Sequence, residues 1–110
     1  YKYGGTTKRG MDCSGLIYTS FLSENIQLPR VSREMAKEGR MLHVNEINVG
    51  DLLFFQTNKN RAVINHVGLV VELVPGSVNF IHSTTSRGVI VSSLNERYWN
   101  NAFVMAKRVF

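Results

Sequence analysis

One cysteine and two of the three histidines are the residues of this 110-residue chain best placed to do chemistry. Cys13 lies where an apolar helical pattern begins, in the stretch GMDCSGLIYTSF. The first turn of a helix has free N–H groups and a positive dipole end. These lower the pKa of a thiol below its free value of about 8.5. The residues alone leave two roles open for Cys13, a catalytic nucleophile or a buried apolar side chain.

A thiol nucleophile needs a base, and two histidines are placed to provide one. His66 opens an apolar strand pattern in INHVGLVV, and His82 ends another in NFIHS. A third polar group must orient the base, and His82 can do so by accepting a hydrogen bond from the His66 ring. His43, in RMLHVNE, has no such context and is predicted to be a surface residue. The combination favours an activated Cys–His nucleophile, although a single histidine in a strand is more often structural.

The hairpin that joins the two histidine strands sets a condition on this pairing. Its turn signal is VPGS at 74–77. A regular two-residue turn at Pro75–Gly76 would make His66 and His82 face opposite sides of the sheet. An odd-numbered loop or a β-bulge would put both on one face, at diagonal positions roughly 7 to 8 Å apart. A catalytic histidine pair therefore requires one of these two irregularities.

Apolar periodicity predicts the elements that position these residues. A helix is expected from Cys13 to about Leu22, with Asp12 as its cap. A second helix is expected to start at a Ser32 cap and to end at Gly39. The period then changes from 3.6 to 2, which predicts strands at Asp51–Phe55, His66–Val71, Val78–His82, Val89–Ser92 and Phe103–Val109, with a short helix or turn at Leu94–Trp99. Two helices followed by about five adjacent strands predict an α+β fold with an antiparallel sheet.

Composition narrows the function classes. A chain of 110 residues fits one domain over residues 1–110. The net charge of +5 favours an anionic partner surface. The basic residues are scattered, so a solvated surface is expected rather than a nucleic-acid partner. No apolar run approaches about 20 residues, so no membrane contact is expected from this domain. Because no targeting segment is visible, we expect a trimmed mature domain. We also expect a monomer, without a cofactor or metal.

Six sequence blocks carry a resemblance to a known family. They are YKYGG, GMDCSGLIY, LPRVS, NVGDLLFF, NHVGLVV and FIHSTTSRGVIVSSLNERYW. In this order and spacing they resemble the NlpC-type cysteine peptidases, which are bacterial cell-wall endopeptidases. The resemblance runs from Tyr1 to about Val109. It implies a papain-like α+β fold, with N-terminal helices packed on a central antiparallel sheet of about five strands.

The resemblance also implies catalytic roles. Cys13 matches the nucleophile of the family's DCSG motif, and His66 matches the general base of its HVG motif. His82 matches the third polar residue, which orients that base. Tyr1 matches a tyrosine whose hydroxyl helps to bind the developing oxyanion, with Tyr3 as the alternative if the register differs.

Other positions have a binding or packing interpretation. Asp12 and Ser14 match positions that line the substrate groove in some members and hold the peptide's amino group, and Asp12 has an equally strong role as helix cap. Arg30 matches the basic residue of the LPR motif. Gly68 is expected to permit close backbone packing beside the base. Tyr98–Trp99 is interpreted as a packing corner rather than a ligand contact.

The function implied is a thiol peptidase that acts on peptidoglycan stem peptides in the cell envelope. The family cuts the bond between D-glutamate and a diamino acid, or the D-alanyl–diaminopimelate cross-link. The YKYGG and SSLNERYW blocks resemble the lipoprotein-type branch and favour the cross-link. Alternatives are an amidase or acyltransferase on the same thiol-hydrolase fold, or a binding module without catalysis. A metal site from the same three residues is weakly supported, because no short ligand pair is present.

Overall fold

A computed structural model describes residues 6–7, 10–11, 13–22, 30–58 and 63–109. Its main feature is a six-stranded antiparallel sheet in the order β3-β8-β4-β5-β6-β7. The strands of this sheet are β3 (Arg40–Leu42), β4 (Leu52–Phe55), β5 (His66–Val74), β6 (Ser77–Thr84), β7 (Gly88–Ser93) and β8 (Phe103–Arg108). The helices are α1 (Cys13–Leu22), α2 (Ser32–Met35), a 3-10 helix (Val44–Glu46) and α3 (Arg97–Ala102). Thr6–Thr7 (β1) and Gly10–Met11 (β2) form a separate antiparallel ladder. The predicted α+β fold with an antiparallel sheet is confirmed.

Apolar clusters cover both faces of the sheet, and β4 separates them. All four of its residues are fully buried. Leu52 and Phe54 belong to one cluster, and Leu53 and Phe55 belong to the other. The sequence of a central strand that is covered on both faces is a continuous apolar run, as LLFF is here.

Helix α1 packs on the first of these faces. Ile17 is fully buried in the cluster that contains Phe54 and Val67. The helix contacts both β5 and β6, the two strands of the histidine hairpin. The element that begins with Cys13 is thus held against the strands that carry His66 and His82.

The hairpin of β5 and β6 contains the irregularity that a histidine pair requires. The connection is the two-residue turn at Pro75–Gly76. A register shift between Val70 and Glu72 then places one extra residue in β5. The extra residue inverts the facing of everything beyond it along the strand. His66 and His82 therefore lie on the same face, and the condition set by the sequence is met by a bulge.

The second helix differs from the prediction at both of its ends. It spans only Ser32–Met35, and its N-cap is Val31 with no side-chain cap. Ser32 is instead buried within the first turn, so the predicted Ser32 cap is wrong. Gly39 lies beyond the helix, with φ of 75°, and a Cβ there would lie 2.4 Å from the Arg108 carbonyl oxygen. Close approach of two strands, rather than helix termination, explains this glycine.

Four elements were not expected from the sequence. They are the paired strands β1 and β2, the strand β3, which pairs with β8 at the sheet edge, and the 3-10 helix that follows β3. The sheet therefore has six strands rather than about five. Only Leu42 of β3 is buried, so the segment shows no alternation that would reveal a strand.

A buried ion pair ties the start of β4 to the end of β8. The Asp51 carboxylate is 3% exposed. It accepts hydrogen bonds from Arg108 Nε at 2.9 Å and Nη2 at 2.8 Å. Asp51, which directly precedes β4, thus anchors that strand to β8. Within the described ranges, no helix is long and apolar enough to cross a membrane.

Candidate active site

The two histidines of the hairpin are hydrogen-bonded to each other. His66 Nε2 lies 2.9 Å from His82 Nδ1. His82 is fully buried and His66 is 9% exposed. The bond follows from the bulge, since the inverted facing turns both rings toward the same side of the sheet. The structure therefore brings together two of the residues predicted to be catalytic.

A serine extends this pair into a chain of three residues. His82 Nε2 lies 2.8 Å from Ser92 Oγ, and Ser92 is also buried. Ser92 stands on β7, where its neighbour across the ladder is Phe80, two residues before His82. Among the described residues, none is hydrogen-bonded to Nδ1 of His66. This nitrogen is the ring position left for a reacting group.

The chain has two consistent proton arrangements, and they differ in what His66 can do. If Ser92 Oγ accepts from His82 Nε2, then His82 Nδ1 accepts from His66 Nε2, and His66 Nδ1 is a free base. If Ser92 donates instead, the proton of each ring lies on the other nitrogen. His82 Nδ1 then donates to His66 Nε2, and the proton of His66 lies on Nδ1. Only the first arrangement lets His66 take a proton at Nδ1.

Burial keeps both rings neutral near pH 7. Desolvation, and to a lesser extent the charge that His82 can carry, lower the pKa of His66 from 6.5 to about 3. Desolvation also lowers the pKa of His82 to about 4, against the opposing influence of the Glu96 carboxylate. Each ring is therefore in the form that can accept a proton.

Aromatic rings produce this desolvation. Trp99 stacks on His66 with ring centroids 5.1 Å apart and planes at 22°. The Trp99 and His82 rings are nearly perpendicular, with centroids 4.6 Å apart. The Phe80 ring centroid also lies 4.6 Å from that of His82. Phe55 packs 5.8 Å from His66 on the adjacent strand. Of the predicted packing corner at Tyr98–Trp99, Trp99 packs against the histidine pair, whereas Tyr98 is exposed and contacts Trp99.

A pocket of about 580 Å³ opens beside His66, and we call it the Arg87 pocket. Hydroxyl groups dominate its lining, together with one cation and one anion. The lining residues are Thr57, Asn65, His66, Ser83, Thr84, Thr85, Ser86, Arg87, Ile90, Ser92, Glu96, Tyr98 and Trp99. The site can thus hold a polar ligand against the edge of the candidate base.

The remaining predicted residues divide by whether the structure describes them. Cys13 begins α1, but its side chain and that of Ser14 lie outside the description, as do Tyr1, Tyr3 and Asp12 entirely. Arg30 is half-buried just before α2 and does not line the Arg87 pocket.

Two further predictions concern residues that the structure does describe. His43 is exposed, as predicted. Gly68 also fulfils its predicted role, because a Cβ there would lie 2.5 Å from Phe80 Cδ2.

Sequence reasoning missed Ser92 and did not identify what Trp99 packs against. The available signal for Ser92 was its position in the alternating pattern GVIVSS, which places it on the same face as Ile90. That pattern does not reveal that His82 on the next strand points at it.

No group of three or more His, Cys, Asp or Glu side chains that could hold a metal ion occurs in the described part of the chain.

Comparison with known proteins agrees with the fold and with the motifs. The NlpC/P60 family model matches residues 1–108. A probable endopeptidase NlpC homologue of Haemophilus influenzae is 40% identical over 99% of this chain and 55% of its own length. The murein DD-endopeptidase MepS/murein LD-carboxypeptidase of Escherichia coli is 36% identical over the same shares.

A solved structure extends the agreement to three dimensions. The crystal structure of an NlpC/P60 family protein from Bacillus cereus superposes with a TM-score of 0.88 and 29% identity, over 99% of this chain and 35% of that one. The chain thus spans about half the length of these curated relatives. On the family match over nearly its whole length and on this fold, the chain belongs to the NlpC/P60 family.

Proposed function

We propose that this domain is a cysteine peptidase that hydrolyses amide bonds in peptidoglycan stem peptides or their cross-links. Cys13 is the nucleophile, His66 the general base and His82 the residue that orients it. The observation that carries the proposal is the 2.9 Å bond between His66 Nε2 and His82 Nδ1, which leaves Nδ1 of a neutral, buried imidazole for the thiol. The start of α1 at Cys13 adds the helix N-terminus that favours a thiolate.

The reaction proceeds in two halves. The Cys13 thiol gives its proton to His66 Nδ1 as the sulfur attacks the carbonyl carbon of the scissile amide. The C–N bond then breaks, and His66 returns the proton to the departing amine, which leaves a thioester on Cys13. Water, deprotonated by His66, attacks the thioester and releases the carboxylate product, and the proton returns to the thiol.

Other residues stabilise the charge and hold the peptide in this proposal. The developing oxyanion accepts hydrogen bonds from the backbone N–H of Cys13 at the helix start and from the hydroxyl of Tyr1. Asp12 and Ser14 hold the amino group of the stem peptide, and Arg30 lies in the same groove. These assignments rest on the family motifs DCSG and LPR.

The family relationship supports the substrate class. One relative, 36% identical, is named a murein DD-endopeptidase, and another, 32% identical, is named a gamma-D-glutamyl-L-lysine dipeptidyl-peptidase, so the names support both bonds. The higher identity of the first favours the D-alanyl–diaminopimelate cross-link. The net charge of +5 suits an anionic wall polymer. The domain would then work in the cell envelope.

A digest of purified peptidoglycan by wild-type protein and Cys13→Ala, read by mass spectrometry, tests the proposal. We expect loss of cross-linked dimers with wild type and none with the variant. Cleavage within uncross-linked stems would assign the D-glutamyl bond instead. Release of whole stem peptides from the glycan would show an amidase, and equal activity of the variant would remove Cys13 from the mechanism.

A further inference from the structure

The two edges of the six-stranded sheet differ in how well they are protected. The edge strand β3 has only three residues, and one of them, Arg40, is paired with Glu46 at 3.7 Å. The opposite edge strand β7 has six residues, none of them charged and none a proline, and its ladder with β6 has no bulge. Shortness, charge, proline and bulges are the features that keep an edge strand from pairing with another chain. Because β7 has none of them, it is the edge that is open to a further strand.

The ladder shows which backbone groups of β7 point away from β6. The N–H of Leu94 donates to the carbonyl of Val78 at 2.9 Å, which continues the register of β6 and β7 by one pair. Hydrogen-bonded and non-hydrogen-bonded pairs alternate along antiparallel strands. The backbone groups of Val89 and Val91 therefore point outward. In the described part of the chain, no strand, loop or side chain is hydrogen-bonded to them.

Apolar side chains accompany these open backbone groups. Val89 is 47% exposed and Val91 is 57% exposed. Two copies of β7 can pair in antiparallel orientation about a twofold axis at Ile90, which sets Val89 of each copy opposite Val91 of the other. Every open N–H and carbonyl of these valines then has a partner. Their side chains meet across the pair with Cβ atoms about 4.5 to 5.5 Å apart, so the strand is complementary to itself.

The charges beside the two ends of β7 fit the same register. It places Arg87 of one copy opposite Ser93 of the other. The N–H of Ser93 donates to the Glu96 carboxylate at 2.8 Å, so this carboxylate lies close to the position that the Arg87 guanidinium of the second copy would reach. Arg87 and Glu96 are both exposed, and neither belongs to an ion pair among the described residues. The twofold symmetry forms this contact twice.

We propose that β7 is an interaction surface for a second copy of this chain, and that the two sheets join there into one continuous sheet of a twofold-symmetric dimer. The partner is a second copy rather than an unrelated strand, because the backbone groups, the valines and the charges of β7 are all complementary to β7 itself. The contact is small, so the dimer should dissociate on dilution. Dimer formation does not require hydrolysis, so it can be tested whether or not the domain is a peptidase.

Sedimentation equilibrium over a wide range of protein concentration tests the dimer. We expect the mass of the wild type to rise with concentration toward that of two chains. Val91→Pro should remain a monomer, because it removes an outward N–H but no hydrogen bond of the folded chain. The control is Val44→Pro, since Val44 is also exposed and begins the 3-10 helix, a position that tolerates proline. A wild type that stays monomeric, or a dimer that Val91→Pro does not weaken, would overturn the proposal.

An exchange of charges tests the register. Arg87→Glu and Glu96→Arg should each weaken dimerisation about tenfold, because each variant sets like charges against each other at both contacts. Mixing the two variants should restore the dimer, because one contact then has its charges exchanged and the other keeps the original pair. Circular dichroism checks that both variants are folded. Folded variants that do not recover the dimer on mixing would reject this pairing of β7.

Amide hydrogen exchange locates the contact without any substitution. The amides of Val89 and Val91 should become protected as the protein concentration rises. The amide of Ile90 faces β6 and should be protected at every concentration, which makes it an internal control. A dimer that forms without added protection of the two valines would place the interface elsewhere and contradict the proposal.

Discussion

At the residue scale, the candidate site depends on which nitrogen of each ring carries the proton. Ser92 decides this, because its hydroxyl is the outer partner of the His82 ring at 2.8 Å. When the Ser92 hydroxyl accepts, the proton of His82 stays on Nε2. His82 Nδ1 is then an acceptor, which keeps the proton of His66 on Nε2. A buried serine bonded to the far side of the His82 ring can thus control whether His66 Nδ1 is able to accept a proton.

Ser92→Ala should therefore lower kcat about tenfold and leave KM nearly unchanged, because it releases the His82 tautomer and the buried Ser92 side chain offers little surface to a ligand. Ser92→Thr, which keeps the hydroxyl, should recover most of the loss. Nitrogen-15 NMR of the imidazoles should show His82 shifting toward the Nδ1–H form in the alanine variant. The control is Ser93→Ala, because the Ser93 hydroxyl bonds Ser77 rather than a histidine. Unchanged tautomers together with a full loss of activity would contradict this role.

At the element scale, the sheet holds the site through its central strands. β4 pairs with both β5 and β8, and the bulge in β5 turns His66 toward His82. The Asp51–Arg108 pair fixes the start of β4 to the end of β8, the strand that pairs with β3. Loss of that pair should loosen the sheet without removing a group from the site.

Arg108→Gln should lower the melting temperature by roughly 5 to 10 °C, because it leaves the buried Asp51 carboxylate without its cation. The Lys37–Glu34 pair provides the comparison, since its 2.9 Å contact lies between exposed side chains. Lys37→Gln should therefore change the melting temperature very little. Thermal unfolding followed by circular dichroism measures both. Equal shifts in the two variants would show that burial of Asp51 does not matter.

At the scale of the whole molecule, the buried histidines couple stability to pH. Their pKa values in the folded chain, about 3 and about 4, lie below the ordinary 6.5. As the pH falls through 6.5 the unfolded chain binds protons that the folded chain does not. The free energy of unfolding is therefore greatest above this value and decreases steadily below it.

Between pH 6.5 and 5 the free energy of unfolding should fall by up to about 1.4 kcal/mol per pH unit for each buried histidine. Urea unfolding at a series of pH values measures this slope. His66→Gln should reduce it, because the variant lacks one of the two buried imidazoles. A stability that does not change over this interval would contradict neutral burial of the pair.

The sequence alone determined the candidate catalytic residue types, their order and the element that carries each one. The apolar patterns around Cys13, His66 and His82 predicted α1, β5 and β6, because burial of one face imposes a period on the chain. The turn at Pro75–Gly76 even set the condition for the histidine pair. Local patterns contain this information because each depends on residues only a few positions apart.

Only the tertiary structure decided how those residues meet. The bulge between Val70 and Glu72 changes no local pattern, yet it turns His66 onto the face of His82. The contacts of His82 with Ser92 and of His66 with Trp99 join residues on different elements. Such contacts depend on strand register and sheet packing, which follow from the summed burial of the whole chain rather than from any one segment.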